Sequence, residues 1–509
     1  MIILNELYHQ PQANSFYLNK VTWDDYSYWT SFKLNYYDTN SKAIYIGELK
    51  IAKKNQGLLK HTIELLPDKI QKLDPDFFSL GQNPEYYDNL TKNLSETTWR
   101  NFLKNMRDIA FSRDLYNECH EENWLNNSLT RYISETTIFE QFHRILNKGE
   151  KLAAYEFKFT EHNQNFELEF KITPNSNPPS NLHVITGRNG SGKTSTLKKI
   201  AKSITRINDK AYSIQDKDGA AIDNLYFSKA IYASFSVFDN PLLDIEFGQK
   251  TADTTSITYI GLHKEASESR QKTQPTPTEY SIKNKADLAE EFCASVTDCI
   301  LSSENRKQLW KTAVRTLESD INFEDKSINE LLNIGDKGEL TTRSRELFLN
   351  LSSGHAAVLY TITKLVELTE EKTVVIFDEP ENHLHPPLLS AFVRALSELL
   401  AKKNGISIIS THSPVVLQEV PSSCAWKITT LNDETITERP SIQTFAENIG
   451  TLTHEIFGLE VQKSGFLALL KAETDETESY DEILKKYNKE IGLEGRAMLR
   501  SILANKKPK

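Results

Sequence analysis

Four groups of residues in this chain have the types and spacing to handle a nucleotide. Gly187-Arg188-Asn189-Gly190-Ser191-Gly192-Lys193-Thr194 fits the pattern G-x-x-x-x-G-K-[ST]. In such a loop backbone N–H groups curl around phosphate oxygens, the lysine reaches the β- and γ-phosphates, and the hydroxyl after it holds Mg²⁺. Ser195 follows directly, and a helix opening near Thr194 would turn its positive end to the same anion. Far downstream, Val374-Val375-Ile376-Phe377 delivers Asp378-Glu379-Pro380 at a strand end. Asp378 suits Mg²⁺ held through its water shell, and Glu379 suits orienting and deprotonating an attacking water. A further apolar strand, Ile406 to Ser410, ends in Thr411-His412, where an imidazole could bond the γ-phosphate or that water. Leu351-Ser352-Ser353-Gly354-His355 opens an amphipathic helix: Ser352 can cap it, and Ser353 and Gly354 present free N–H groups at its positive end. The chemistry these residues share is binding and hydrolysis of ATP with Mg²⁺.

The elements that must position them can be read from periodicity. Leu182, Val184 and Ile185 read as a buried strand feeding the loop, and Leu197, Ile200, Ala201 and Ile204 follow at helical spacing. Val358, Leu359, Ile362, Leu365 and Val366 line one face of the helix after Gly354. Upstream, the pattern predicts strands over Ser15–Leu18, Tyr26–Tyr37 and Ala43–Ile51, then helices from about 96 to 148. Alternation over Tyr155–Phe159 and Phe166–Phe170 predicts a hairpin, one of whose aromatics could stack on adenine. Pro174 to Ser180 reads as the loop after it. Ala230–Phe235 and Ile257–Ile260 read as strands, Lys264–Lys283 as a polar linker, and 285–302 and 304–319 as helices of an inserted lobe. Beyond 440 an apolar-faced helix (Phe445, Ile449, Leu452, Ile456, Phe457), an acidic stretch from Glu473 to Glu482 and a second helix over Tyr480–Ile502 either pack on the head or dock a partner. The expected division is an α+β accessory region (1–148), a nucleotide-binding head (149–430, helical lobe about 284–370) and a C-terminal helical region (431–509).

Composition removes several alternatives. A formal net charge of −10 argues against wrapping nucleic acid by bulk positive charge. No apolar run approaches the ~20 residues a spanning helix needs, and Met1 to Glu6 shows no basic-then-apolar secretory pattern, so the expectation is a cytoplasmic protein without membrane partners. Cys119, Cys293, Cys299 and Cys424 form neither a disulfide framework nor a zinc spacing.

The four motifs in this order resemble the ABC-type ATPase heads of the SMC, RecF and OLD group. The resemblance covers about 149 to 430 and implies an α/β P-loop NTPase fold with a mixed central sheet, an inserted helical lobe and an N-terminal α+β extension. It also implies that two heads close over two nucleotides. Ser353 and Gly354 would then act on the partner's nucleotide, while Lys193, Thr194, Asp378, Glu379 and His412 act on their own. Glu381-Asn382-His383-Leu384-His385-Pro386 looks like the RecF/OLD branch, since transporter heads usually carry Asp where His385 stands. Two positions depart from the pattern. His355 replaces the usual Gln or Glu, and no glutamine is obvious at the strand after the phosphate-loop helix, leaving Ser236, Asp239 and Gln249 as candidates. The interval from Lys193 to Ser353 has no room for a long coiled-coil arm, and the stretch after His412 lacks the pattern of an OLD-type nuclease. Phe78–Tyr87 and Asn448–Leu459 are similar to segments of the ATPase subunit (PtuA) of the Septu anti-phage system, including its retron-associated form. That resemblance implies an oligomeric ATPase holding an HNH nuclease partner, with nucleic acid reached through the complex. The competing expectations are a RecF-like DNA clamp and an ATP-binding switch with little hydrolysis.

Overall fold

The computed structural model describes residues 2–4, 12–162, 166–205, 211–223, 225–237, 240–241, 245, 247, 255–265, 280–382, 384–431, 434–463, 465–476 and 479–505. Asp239, Gln249, His383, most of the predicted 264–283 linker, residues 477–478 of the acidic stretch and the side chain of Phe457 lie outside them.

A seven-stranded sheet forms the centre of the head. Its strand order is Ile257–Gly261, Ala230–Ser234, Val374–Asp378, Ile406–Thr411, Leu182–Gly187, Ala425–Leu431 and Glu434–Glu438. Every neighbouring pair is parallel except the last, so the sheet is mixed. Parallel strands covered on both faces read as continuous apolar runs, and all five residues of Val374–Asp378 are buried. Because successive side chains point to opposite faces, Val375 and Phe377 pack with the helices Lys285–Leu301, Glu304–Leu317, Ser353–Leu368 and Pro386–Lys403. Val374 and Ile376 face the other way, onto helix Lys193–Thr205 and a three-stranded antiparallel sheet. That smaller sheet, Tyr212–Asp216, Tyr155–Glu161 and Phe166–Ile172, contains the predicted hairpin. Cys293 and Cys299 are buried helix residues.

The N-terminal region folds around its own core. Six strands in the order Lys69–Ile70, Ile2–Leu4, Ser15–Lys20, Ser31–Tyr37, Ala43–Lys53, Phe77–Gly81 pack against helices beginning at Pro84 and Glu96. The predicted strand over 26–37 starts only at Ser31. Tyr26 and Ser27 take positive φ (49° and 69°) in a tight turn that ladder geometry excludes. The helix Pro84–Asn93, capped by Asn83, lies in a stretch for which no helix was expected. At the other end of the chain, helix Ile449–Lys463 buries Leu452 and Ile456 in the head core, while Phe445 and Ile449 stay exposed. The helix predicted over 480–502 is two helices, Tyr480–Lys486 and Leu493–Asn505, broken at Asn488 and Lys489 in positive φ. They close a small separate cluster of Leu470, Ile483 and Leu499.

The N-terminal region docks on the head through carboxylates at the root of the central strand. Glu370 accepts from the Ser134 N–H and the Thr137 hydroxyl, both at 2.7 Å, and pairs with Lys229 at 2.6 Å. Glu371 takes Arg144 at 2.8 Å and Asn404 at 2.9 Å. Asp298 of the helical lobe holds Arg131 at 2.9 Å and the Tyr132 hydroxyl at 2.6 Å.

Within the N-terminal core, fully buried Asp25 gathers Lys50 (2.7 Å), Arg131 (3.3 Å) and the Trp23 indole N–H (2.8 Å). Burial lowers the Lys50 ammonium below its ordinary value, with Asp25 opposing. Removing one member of a buried pair strands the other charge. Lys50→Met is therefore expected to cost about 3 kcal/mol in urea denaturation, and an unchanged midpoint would show the pair to be neutral.

Candidate nucleotide-binding site

The phosphate loop joins Leu182–Gly187 to helix Lys193–Thr205, and its backbone dictates where glycine must stand. A Cβ on Gly187 would lie 2.3 Å from the Ile428 carbonyl oxygen of the neighbouring strand. Gly190 and Gly192 take φ of 80° and 88°, and a Cβ on either would meet nothing within 4 Å. They are therefore required for conformation rather than for space. The Lys193 Nζ donates to the Gly187 and Arg188 carbonyls at 3.1 and 3.0 Å. Burial pulls its pKa below the ordinary lysine value, against the opposing fields of Glu379, Glu381 and Asp378.

Sheet order brings the carboxylates to this loop. Strand register sets Asp378 beside Ser410 and Thr411 beside Thr186, so three strand ends finish at one level. The Thr194 hydroxyl donates to Asp378 Oδ1 at 3.1 Å, and the Ser410 hydroxyl donates to the same oxygen. Among the described residues no group of three or more His, Cys, Asp or Glu forms a metal cage. Hard oxygen donors from one hydroxyl and one carboxylate suit Mg²⁺, which retains waters and takes its remaining ligands from phosphate. Thr194 and Asp378 are the residues that could hold it.

Glu379 follows in the left-handed region, φ 48°, which few residues other than glycine adopt. Its N–H donates to the Ser410 carbonyl at 3.0 Å, which holds this conformation. His412 Nδ1 lies 3.6 Å from Glu379 Oε1 and 3.1 Å from Glu381 Oε1. Glu379 is the foremost cause of a raised His412 pKa, and His412 in turn is the foremost cause of a lowered Glu379 pKa. Glu381 also accepts the Thr411 hydroxyl at 2.7 Å and the His412 backbone N–H at 2.8 Å, which fixes its carboxylate beside the imidazole.

Asn189, Gly190, Gly192, Lys193, Thr194, Ser195, Glu379 and His412 line one open cavity of about 400 Å³. The signature residues Ser352, Ser353 and Gly354 do not line it. Ser352 caps helix Ser353–Leu368, and both serines are exposed. The hairpin aromatics expected to stack on adenine do not: Tyr155, Phe157, Phe159, Phe166 and Phe170 are core residues, because the alternation that marks the hairpin places them inward. Ser236 is described, with its N–H 3.4 Å from the Ser234 hydroxyl, and does not line the cavity. Sequence reasoning missed Ser410 and Glu381 as site residues, although both lie inside motifs it singled out. Asp320, which contacts the signature helix, carried no sequence signal.

A glycine loop at a strand–helix junction, an Asp-Glu strand end and a histidine on the adjacent strand, all in one mostly parallel sheet, define a P-loop ATPase of the ABC type. In agreement, a family profile described as "AAA domain, putative AbiEii toxin, Type IV TA system" matches residues 300–418. The chain is 38% identical over 521 aligned residues to Protein ea59 of Escherichia phage lambda, covering 97% of this chain and 96% of that protein, and it belongs to that protein's family. An OLD nuclease of Thermus scotoductus is 30% identical over 133 residues, 23% of this chain and 25% of that one. Among solved structures, an ATP-binding cassette of an ABC transporter in its ADP conformation covers 61% of this chain and 99% of its own, at 15% identity and a TM-score of 0.30. CbiO1 from Clostridium perfringens, part of the ABC transporter complex cbiONQ, covers 62% and 95%, at 14% identity and a TM-score of 0.30.

Two outcomes follow for the site. The His412 imidazole should titrate above 6.5 by NMR, and its midpoint should fall in Glu379→Gln. The charged pair therefore persists between the depressed Glu379 pKa, below 4.5, and the raised His412 pKa, and it is lost outside that window. Separately, Gly187→Ala should abolish nucleotide binding, read by equilibrium dialysis of labelled ATP. Retained affinity would mean that the Ile428 strand yields.

Proposed function

We propose that the chain is a Mg²⁺-dependent ATPase whose catalytic site is completed by a second copy, and that it regulates or scaffolds a partner nuclease of HNH type in anti-phage defence. The observation that carries this reading is the division of the motifs. Lys193, Thr194, Asp378, Glu379 and His412 converge within one chain, whereas Ser353 and Gly354 of that chain do not line their cavity and Ser353 stands exposed at its helix start. A helix N-terminus with free N–H groups suits a γ-phosphate, so a second head supplies it. On this reading Lys193 and Gly187 to Ser195 bind the phosphates, Thr194 and Asp378 hold Mg²⁺, Glu379 takes the proton of the attacking water, and His412 with Glu381 holds Glu379 in place. Bound Mg²⁺ supplies charge neutralisation at the β- and γ-phosphates. Hydrolysis in the assembled head then resets contacts to the partner. The assignment of 1–148 as accessory region, 149–430 as head and 431–509 as partner-facing helices belongs to the same reading. A phage-encoded relative and a partial OLD nuclease relative favour a setting of conflict between phage and host or between phages.

Wild type should turn over ATP, and Glu379→Gln should abolish turnover by at least ~10²-fold while accumulating an ATP-bound dimer. Ser353→Arg should prevent ATP-driven assembly while leaving ATP binding to the monomer intact. Native mass measurement of the chain co-expressed with its genetic neighbours, with and without ATP, reads partner and stoichiometry together. A nuclease-free assembly that binds duplex with steep salt dependence would favour a DNA clamp instead.

A further inference from the structure

His355, which departs from the usual signature, and His385, which stands where transporter heads usually carry Asp, meet on one carboxylate. Asp320, at the start of a short turn in the helical lobe, places Oδ1 3.1 Å from His355 Nε2 and Oδ2 3.0 Å from His385 Nε2. Its Oδ1 also accepts the Asn322 N–H at 3.0 Å. Asp320 is 5% exposed and His355 8% exposed, with the Phe323 ring edge-on to the His355 imidazole at 4.8 Å. The array continues outward, since His355 Nδ1 lies 2.6 Å from the Ser352 hydroxyl.

The hydrogen inventory admits a consistent assignment. A carboxylate only accepts, so both Nε2 atoms carry hydrogen. In the neutral imidazole His355 Nδ1 is then a lone pair that accepts the Ser352 O–H, and the Ser352 oxygen keeps its own lone pairs for capping the helix. One buried carboxylate thus fixes the tautomer of two imidazoles and the direction of one hydroxyl.

What this array joins gives it meaning. Ser352 and His355 belong to the start of the signature helix, which acts on the partner's nucleotide. His385 ends the loop that begins at Glu379, which acts on the chain's own nucleotide. The two meet through no other described hydrogen bond or ion pair. We infer that Asp320 is a positioning residue that couples these ends, so that capture of the partner's γ-phosphate at Ser353 is transmitted through His355, Asp320 and His385 to Glu379. This rests on the composite-site reading above. Its consequence is that the two sites of a dimer turn over together. A plain structural staple would tie the lobe to the loop without linking one nucleotide to the other.

Steady-state hydrolysis across ATP concentrations separates these, using the full chain as wild type, His385→Ala, Asp320→Asn and His385→Gln, with melting temperature and ATP-driven assembly measured alongside. Wild type is expected to show a Hill coefficient above 1. His385→Ala, at a side chain 46% exposed, should melt and assemble like wild type. Its kcat should fall roughly tenfold or more, as small misplacements of catalytic groups do, with KM within about twofold and a Hill coefficient of about 1. Asp320→Asn should behave alike if it folds. His385→Gln, whose amide N–H still reaches Asp320, should restore most of both quantities. Wild-type kcat and cooperativity in His385→Ala would overturn the coupling, as would a wild type that hydrolyses ATP with a Hill coefficient of about 1, although the ATPase reading would then stand. A wild type that neither assembles with ATP nor hydrolyses it would overturn that reading and the coupling with it.

Discussion

The carboxylate of Asp378 is the point on which the head depends. It is 5% exposed at the end of a central strand and is held by hydroxyls from two other elements, Thr194 of the phosphate-loop helix and Ser410 of the neighbouring strand. A buried charge is tolerated only when such partners are in place. They are in place only if three strands end at one level, which the register of Asp378 with Ser410 and of Thr411 with Thr186 ensures. A slip of one residue would turn Asp378 to the opposite face. Sheet order, register and the phosphate loop are therefore one constraint rather than three.

Around that carboxylate acids gather. Asp378, Glu379 and Glu381 all act on the field at Lys193, whose ammonium spends its hydrogen bonds on loop carbonyls. A triphosphate entering beside three carboxylates adds like charge to like. A divalent cation, if held by Thr194 and Asp378, would make the phosphate chain compatible with the acidic side of the site. The strained Glu379 backbone and the imidazole wedged between Glu379 and Glu381 hold the second carboxylate in a fixed direction.

Much of this was legible in the sequence because the chemistry is local in the chain. The glycines, Lys193 and Thr194 are consecutive, Asp378 and Glu379 are adjacent, and a buried parallel strand declares itself as an apolar run. What was not legible depends on distance. Asp320 sits between helices where no periodicity marks it, and its role follows only from His355 and His385 arriving from remote segments. Ser410 and Glu381 were visible as residues but not as partners, since a strand hydroxyl and a turn carboxylate acquire meaning from register and from what lies opposite. The hairpin aromatics misled for the converse reason. Alternation predicts which side chains share a face, not whether that face meets solvent or a second sheet, and here it met a sheet.

The docking carboxylates Glu370 and Glu371 bear on how the chain can be divided. Each is buried, and each takes part of its partners from the N-terminal side: the Ser134 amide and Thr137 hydroxyl for one, Arg144 for the other. Both lie a few residues before the strand that carries Asp378 and Glu379. A head cut free at residue 149 would keep its nucleotide motifs intact, yet would leave two acids facing the vacated surface with half their partners gone. The residues before 149 thus form part of the wall at the root of the strand that carries Asp378.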